Sequence, residues 1–238
     1  MNYDCIVIFA NDPEESSDLS ALAEALGRRK TYYLGRAMFF DTLALCLSIP
    51  DTDLIISYDP AYAKDSFIKM IELFTHEEKS PEILANIDKI RLLPRNGNTI
   101  MEHISGVYRQ VFDLKYERVT MVGAYCIPLD PQLIKAGFIL LKDNDVVVGP
   151  SFGGRYYLFG MSKYMPEVFD GVRWESNDFY IKLGENLKAA SARVQELELS
   201  YEVYTPGELN QLISDINRWR KVGDTKTAYH TEKFLRVL

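Results

Sequence analysis

Cys5-Ile-Val-Ile-Phe9 is a continuous apolar run rich in β-branched residues, the pattern of a strand covered on both faces. Similar runs at Leu54–Tyr58, Ile90–Leu93, Val119–Gly123 and Val146–Gly149 predict further strands. Between them the apolar spacing turns helical. Leu19, Leu22, Ala23 and Leu26 share one side of a first helix, with Ser17 or Asp18 as its N-cap and Gly27 as its stop. Leu34, Met38, Thr42, Leu45 and Ile49 line a second, which ends at Pro50. Phe67–Phe74, Ile100–Phe112 and Pro131–Leu141 read as helices, the last with proline in its first turn. Tyr156–Phe159 predicts an added strand, and helices are expected near Gln195 and from Gly207 to Arg220. Strand and helix alternate roughly every twenty-five residues, which argues for βαβ units, a mostly parallel sheet and helices on both faces. No repeat or low-complexity linker interrupts the alternation, so residues 1–238 are expected to form one domain.

Composition sharpens this picture. With 47% hydrophobic and 26% charged residues the chain can bury a sizeable core, which excludes a disordered or collagen-like protein. Lys plus Arg number 27 and Asp plus Glu 34, a formal charge of −7 that disfavours nucleic acid and anionic membranes as partners. The longest basic run, Arg28-Arg29-Lys30, and the group Arg218, Arg220 and Lys221 read as solvated helix ends. Cys5, Cys46 and Cys126 form no CxxC pair, so neither a zinc knuckle nor a disulfide framework is indicated and a reducing, cytoplasmic setting is expected. No apolar stretch approaches the length of a membrane span.

In an open α/β sheet the ligand crevice lies at the carboxyl ends of the strands, so the segments that follow each strand are the places for chemistry. After the first strand, residues 11–18 carry Asp12, Glu14, Glu15 and Asp18 with neither glycine nor a basic residue, which excludes a P-loop and a dinucleotide fingerprint. Each carboxylate about 6 Å from a phosphate charge would cost roughly 3 kcal/mol at an effective dielectric of about 20. Asp59-Pro60 opens a turn after the second strand. Glu102 and His103 are adjacent and form a candidate acid/base pair, although helix neighbours point about 100° apart and a surface pair is the simpler reading. Cys126 has no base or cation nearby in sequence and reads as a buried structural thiol. His76 and His230 stand outside any metal-ligand spacing. From Gly149 to Gly160, glycines alternate with aromatic residues around Arg155. This composition suits either an aromatic-walled pocket for a sugar or base, or a tight turn entering a core strand.

Taken together, Leu34–Leu45, Pro50–Tyr58, Tyr116–Val119, Gly149-Pro150, Tyr156–Gly160, Phe169–Trp174 and Thr205-Pro206 resemble a family of glycosyltransferases of the arsenosugar-biosynthesis type. These are GT-A-fold proteins related to nucleotide-diphospho-sugar transferases and nucleotidyltransferases. The resemblance spans essentially the whole chain and implies a three-layer α/β/α sandwich with a mostly parallel central sheet. It also implies a nucleotide or nucleotide-sugar ligand and, for the parent reaction, Mg²⁺ or Mn²⁺ to neutralise the leaving diphosphate.

The departures from the family pattern are ordered. Its basic loop after the first strand keeps Pro13, but Ser16, Ser17, Leu19 and Ala21 stand at the glycine and basic places. Tyr125 stands where an acid would help hold the cation, and Arg155 lies where a family run carries acids. The family's Asp-Val-Asp-Thr-Pro becomes Glu202-Val-Tyr-Thr-Pro206. Before the long helix Gly97 and Glu102 match, while Thr99 and His103 replace an Asp and an Arg. The resemblance therefore implies a pocket walled by Phe9, Gly123, Tyr125, Gly154, Arg155, Tyr156 and Trp174, with a degenerate metal and phosphate site. Such a protein has weak or no parent activity, a pseudoenzyme serving in ligand binding or as the partner of another protein. The alternative is an active glycosyl- or nucleotidyltransferase with a rebuilt site that uses Glu175, Asp178, Glu102 or Asp130 as ligand or general base.

Overall fold

The computed structural model describes residues 3–237 apart from 15, 153, 175 and 177. Seven strands form one sheet: β1 (Asp4–Asn11), β2 (Thr52–Asp59), β3 (Ile90–Pro94), β4 (Arg118–Gly123), β5 (Val146–Pro150), β6 (Tyr156–Met161) and β7 (Val194–Glu196). The helices are α1 (Ser20–Leu26), α2 (Arg28–Leu47), α3 (Lys64–Glu77), α4 (Pro81–Leu84), α5 (Ile100–Asp113), α6 (Pro131–Leu140), α7 (Phe179–Ala189), α8 (Pro206–Lys221) and α9 (Tyr229–Leu235).

The sheet order is β3-β2-β1-β4-β6-β5-β7. β1 pairs in parallel with β2 and β4, and β2 with β3, while β6 runs antiparallel to both β4 and β5. The apolar run of β1 has two destinations, as its length and composition predict. Ile6 and Ile8 join one buried cluster with Leu34, Met38 and Phe67, whereas Cys5 and Val7 join another with Val107, Val111 and Leu183. Helices thus cover both faces of a mostly parallel sheet, the architecture that the sequence pattern and the resemblance both imply.

Three expectations need correction. Gly27, at φ +83, both ends α1 and precedes α2, so α2 begins six residues before Leu34 and takes the basic run Arg28–Lys30 into its exposed first turn. Neither Ser17 nor Asp18 caps α1, whose N-cap is Leu19 without a side-chain hydrogen bond. The Asp18 carboxylate instead accepts from Asn11 Nδ2 at 2.5 Å, and Ser16 Oγ accepts from the Asp18 amide. No helix surrounds Gln195, which lies in the exposed edge strand β7, paired in parallel with β5.

The chain also closes with α9, which the apolar spacing did not indicate. Its N-cap, Ala228, has a left-handed backbone and offers no side-chain acceptor. Asp41 of α2 supplies the cap from across the fold, accepting from the His230 and Thr231 amides at 2.8 Å each.

Gly149 in β5 allows the Tyr157 ring to cross the strand, where a Cβ would meet three ring atoms at 2.4–2.9 Å. The Tyr157 hydroxyl then reaches the Glu198 carbonyl at 2.8 Å. Gly149→Ala is expected to lower stability by about 2–3 kcal/mol through overpacking. Urea unfolding reads this directly, and a loss below about 0.5 kcal/mol would show that the ring moves aside freely.

Candidate functional site

The carboxyl ends of the central strands open into a cleft of about 260 Å³. Register places its parts side by side: Phe9 of β1 pairs with Gly123 of β4, and Asn11 of β1 with Asp59 of β2. Phe9, Gly123, Tyr125, Arg155, Tyr156 and Trp174 all line this one cleft. Gly154 does not. It occupies the turn before β6 at φ +72, and its amide donates to the Ser151 carbonyl at 2.9 Å.

One wall is built on Arg95, which follows β3 and whose amide donates to the Tyr58 carbonyl of β2. Its guanidinium lies 3.9 Å from the centre of the Phe9 ring and donates to the Ala10 carbonyl at 2.5 Å and to Asn11 Oδ1. Arg95 is 3% exposed, and its Nε is buried with no hydrogen-bond partner among the described residues. Burial pulls its pKa down to about 10, against the pull of Asp59 and Asp18. A cation held on an aromatic face with donors to spare is suited to a ligand's acceptor atoms. The opposite wall carries Arg155, its guanidinium 5.4 Å from the Trp174 ring centre. The Tyr156 ring packs there at a tilt against Tyr180, which donates to Glu196 at 2.8 Å.

Glu202 forms part of the floor. Its Oε1 occupies the space that a Cβ on Gly123 would fill, 2.2 Å from that ideal position. It accepts from the Tyr204 hydroxyl at 3.2 Å and lies 3.9 Å from Cys126 Sγ. Burial pushes the carboxyl up to about 7, opposed by Tyr204 and the charge of Arg155. The Tyr125 ring packs edge-on to Tyr204, and its buried hydroxyl has no partner among the described residues. Sequence reasoning passed over Glu202 and Arg95 as site residues. The available signal was Gly123, a strand-end glycine in a segment without turn chemistry.

Of the acids named from sequence, the described ones, Glu102, Asp130 and Asp178, are not brought into this cleft. Glu102 belongs to the first turn of α5, where its carboxylate accepts from the Asn98 amide at 2.7 Å and its own amide donates to the Thr99 hydroxyl. Its neighbour His103 does line the cleft, with Nε2 3.1 Å from the Gly97 carbonyl. Asp178 lies exposed before α7 and accepts from the Ser176 hydroxyl, which holds its carboxyl below the usual range. Asp130 caps α6 through the Gln132 amide at 2.7 Å. Glu175 lies outside the described residues.

The described acids that line the cleft are Asp18, Asp59 and Glu202. Among the described residues no three His, Cys, Asp or Glu side chains are grouped so as to hold a metal ion. The cleft's own acids are engaged elsewhere or apart, Asp18 with Asn11 and Glu202 with Tyr204. No described helix is long and apolar enough to cross a membrane.

Residues 42–176 match the family DUF2064, described as uncharacterized proteins conserved in bacteria. Among solved structures, a Desulfovibrio desulfuricans G20 protein described as a candidate nucleotide-diphospho-sugar transferase is similar at 27% identity and a TM-score of 0.81. That alignment covers 99% of this chain and 95% of the other. A 4-diphosphocytidyl-2C-methyl-D-erythritol synthase from Anaerococcus prevotii DSM 20548 shares the fold at 11% identity and a TM-score of 0.59, over 91% of this chain and 96% of the other. A cytidylyltransferase from Leptospira borgpetersenii serovar Hardjo-bovis (strain JB197) does so at 11% identity and 0.58, over 100% and 94%. No curated protein matches the sequence.

Proposed function

The chain belongs to the DUF2064 family, and for this member we propose that the cleft binds a nucleotide or nucleotide-sugar without a resident divalent cation. Metal-dependent sugar transfer is weak or absent in this reading, and the protein serves in ligand binding or as a partner subunit. The observation that carries it is the placement of Arg95 and Arg155, each held against an aromatic ring on opposite walls of a cleft at the strands' carboxyl ends. Arginine forks bind phosphate and base acceptors without a metal. Phe9, Tyr156 and Trp174 supply apolar faces for a base or sugar ring.

Asp12 and Asp18 occupy the loop after β1, where the resemblance expects basic residues for phosphates. Charge there opposes a diphosphate, which favours binding with the phosphates toward Arg155 instead. An active transferase with a rebuilt site is the second reading. Glu202 is the observation in its favour, as a buried acid in the cleft poised near neutrality.

Calorimetric titration with UDP-glucose, GDP-mannose, CTP and GTP, in EDTA and again with Mn²⁺, separates the readings. At least one ligand is expected to bind in EDTA with an affinity that Mn²⁺ changes less than about threefold, which is well under 1 kcal/mol. Tenfold or greater strengthening by Mn²⁺ would return the parent metal chemistry. Absence of binding by all four would remove the nucleotide reading.

A further inference from the structure

Among the acids that line the cleft, Asp18 is paired with Asn11 and Asp59 stands at the β2 rim, while Glu202 is buried at 5% exposure. Gly123 gives up its side chain to make room for it. Such a group is expensive to keep charged and inexpensive to keep protonated. The polar groups around it are the Tyr204 hydroxyl, the Cys126 thiol, and the charges of Arg155 before β6 and Glu208 on α8. Of these only Arg155 is a cation.

We propose that the Glu202 carboxylic acid is a phosphate-binding group, donating its O–H to a phosphoryl oxygen of the ligand while Arg155 meets the remaining charge. The inference rests on the nucleotide reading above and assigns that reading a specific chemistry. A protonated carboxyl is a donor, whereas its anion only accepts and repels phosphate. Burial already holds the acid up to about 7. A phosphate placed beside it favours the neutral form further, so ligand binding draws a proton from solvent.

The test is calorimetry in EDTA at pH 6.0 and pH 8.5 with UDP-glucose and GDP-mannose, whose diphosphate diesters do not titrate in this range. In the wild type, affinity should fall about tenfold from the lower to the higher pH, with proton uptake seen as a buffer-dependent heat. Glu202→Gln keeps an N–H donor and should bind with the tight, low-pH affinity at both values. Glu202→Ala should bind weakly at both. Binding by the wild type with no pH dependence overturns the proposal and leaves the nucleotide reading standing. A pH dependence that persists in Glu202→Gln overturns it too. Failure of both sugar nucleotides to bind at any pH overturns the proposal, and removes the nucleotide reading as well when CTP and GTP also fail to bind.

Discussion

Replacing Asp41 by alanine should detach the C-terminal helix and lower stability by about 2–4 kcal/mol. Asp41 is buried in α2, and its two carboxylate oxygens accept from the His230 and Thr231 amides. No side chain of α9 can take over, because its own cap residue is Ala228. Two buried backbone donors would then lack partners, each at a cost of about 1–3 kcal/mol, partly offset by release of a buried charge. Around the same point His230 packs between Phe40 and Phe74, with Nε2 3.2 Å from Glu78. Hydrogen exchange at the His230 and Thr231 amides, with urea unfolding, reads the outcome. Amides that stay as protected as in the wild type, with less than about 1 kcal/mol lost, would show that aromatic packing alone holds the helix.

Glu202→Gln is expected to be more stable than the wild type at pH 8 and no more stable at pH 4. The carboxyl titrates at about 7 in the folded chain against 4.5 for the free group, the shift being caused by burial. Between those values the folded chain holds a proton that the unfolded chain has released. Stability therefore falls as pH rises through this window, and the deficit levels off above it. At pH 8 the wild type should carry a deficit of about 3 kcal/mol, which the neutral amide does not incur. Denaturant unfolding at the two pH values checks the sign. A variant less stable than the wild type at pH 8 would mean that the anion is held by contacts worth more than its lost hydration.

Elements whose burial comes from their own composition were readable in the sequence. β1, β2, β4 and β5 announce themselves as apolar β-branched runs, and α6 by the proline that opens it. What escaped is whatever depends on a distant partner. The cap of α9 comes from Asp41, so nothing in residues 226–231 marks a helix start. β7 is three exposed residues paired with β5, with no periodicity to detect. The direction of β6 is invisible because a buried run reads the same either way.

The site divides along the same line. Phe9, Tyr125, Tyr156, Arg155 and Trp174 were named through the family resemblance, and all five line the cleft. Glu102 and Asp130 drew attention as free acids, yet both serve helix starts through ordinary capping contacts. Glu202 and Arg95 look like surface residues in the sequence, and only the folded chain buries them.

The reversed strand β6 carries one more consequence. Because it enters the sheet where its parallel neighbours leave, the bend that joins it to β5 lies beside the crevice, with Arg155 at its base where β6 begins. That bend is tied to the segment after β7 by the Ser151–Ser200 bridge. Residues can be added or exchanged in it at little cost to the framework. Relatives with different ligands should therefore diverge most in this hairpin, which makes it the natural place to graft new selectivity.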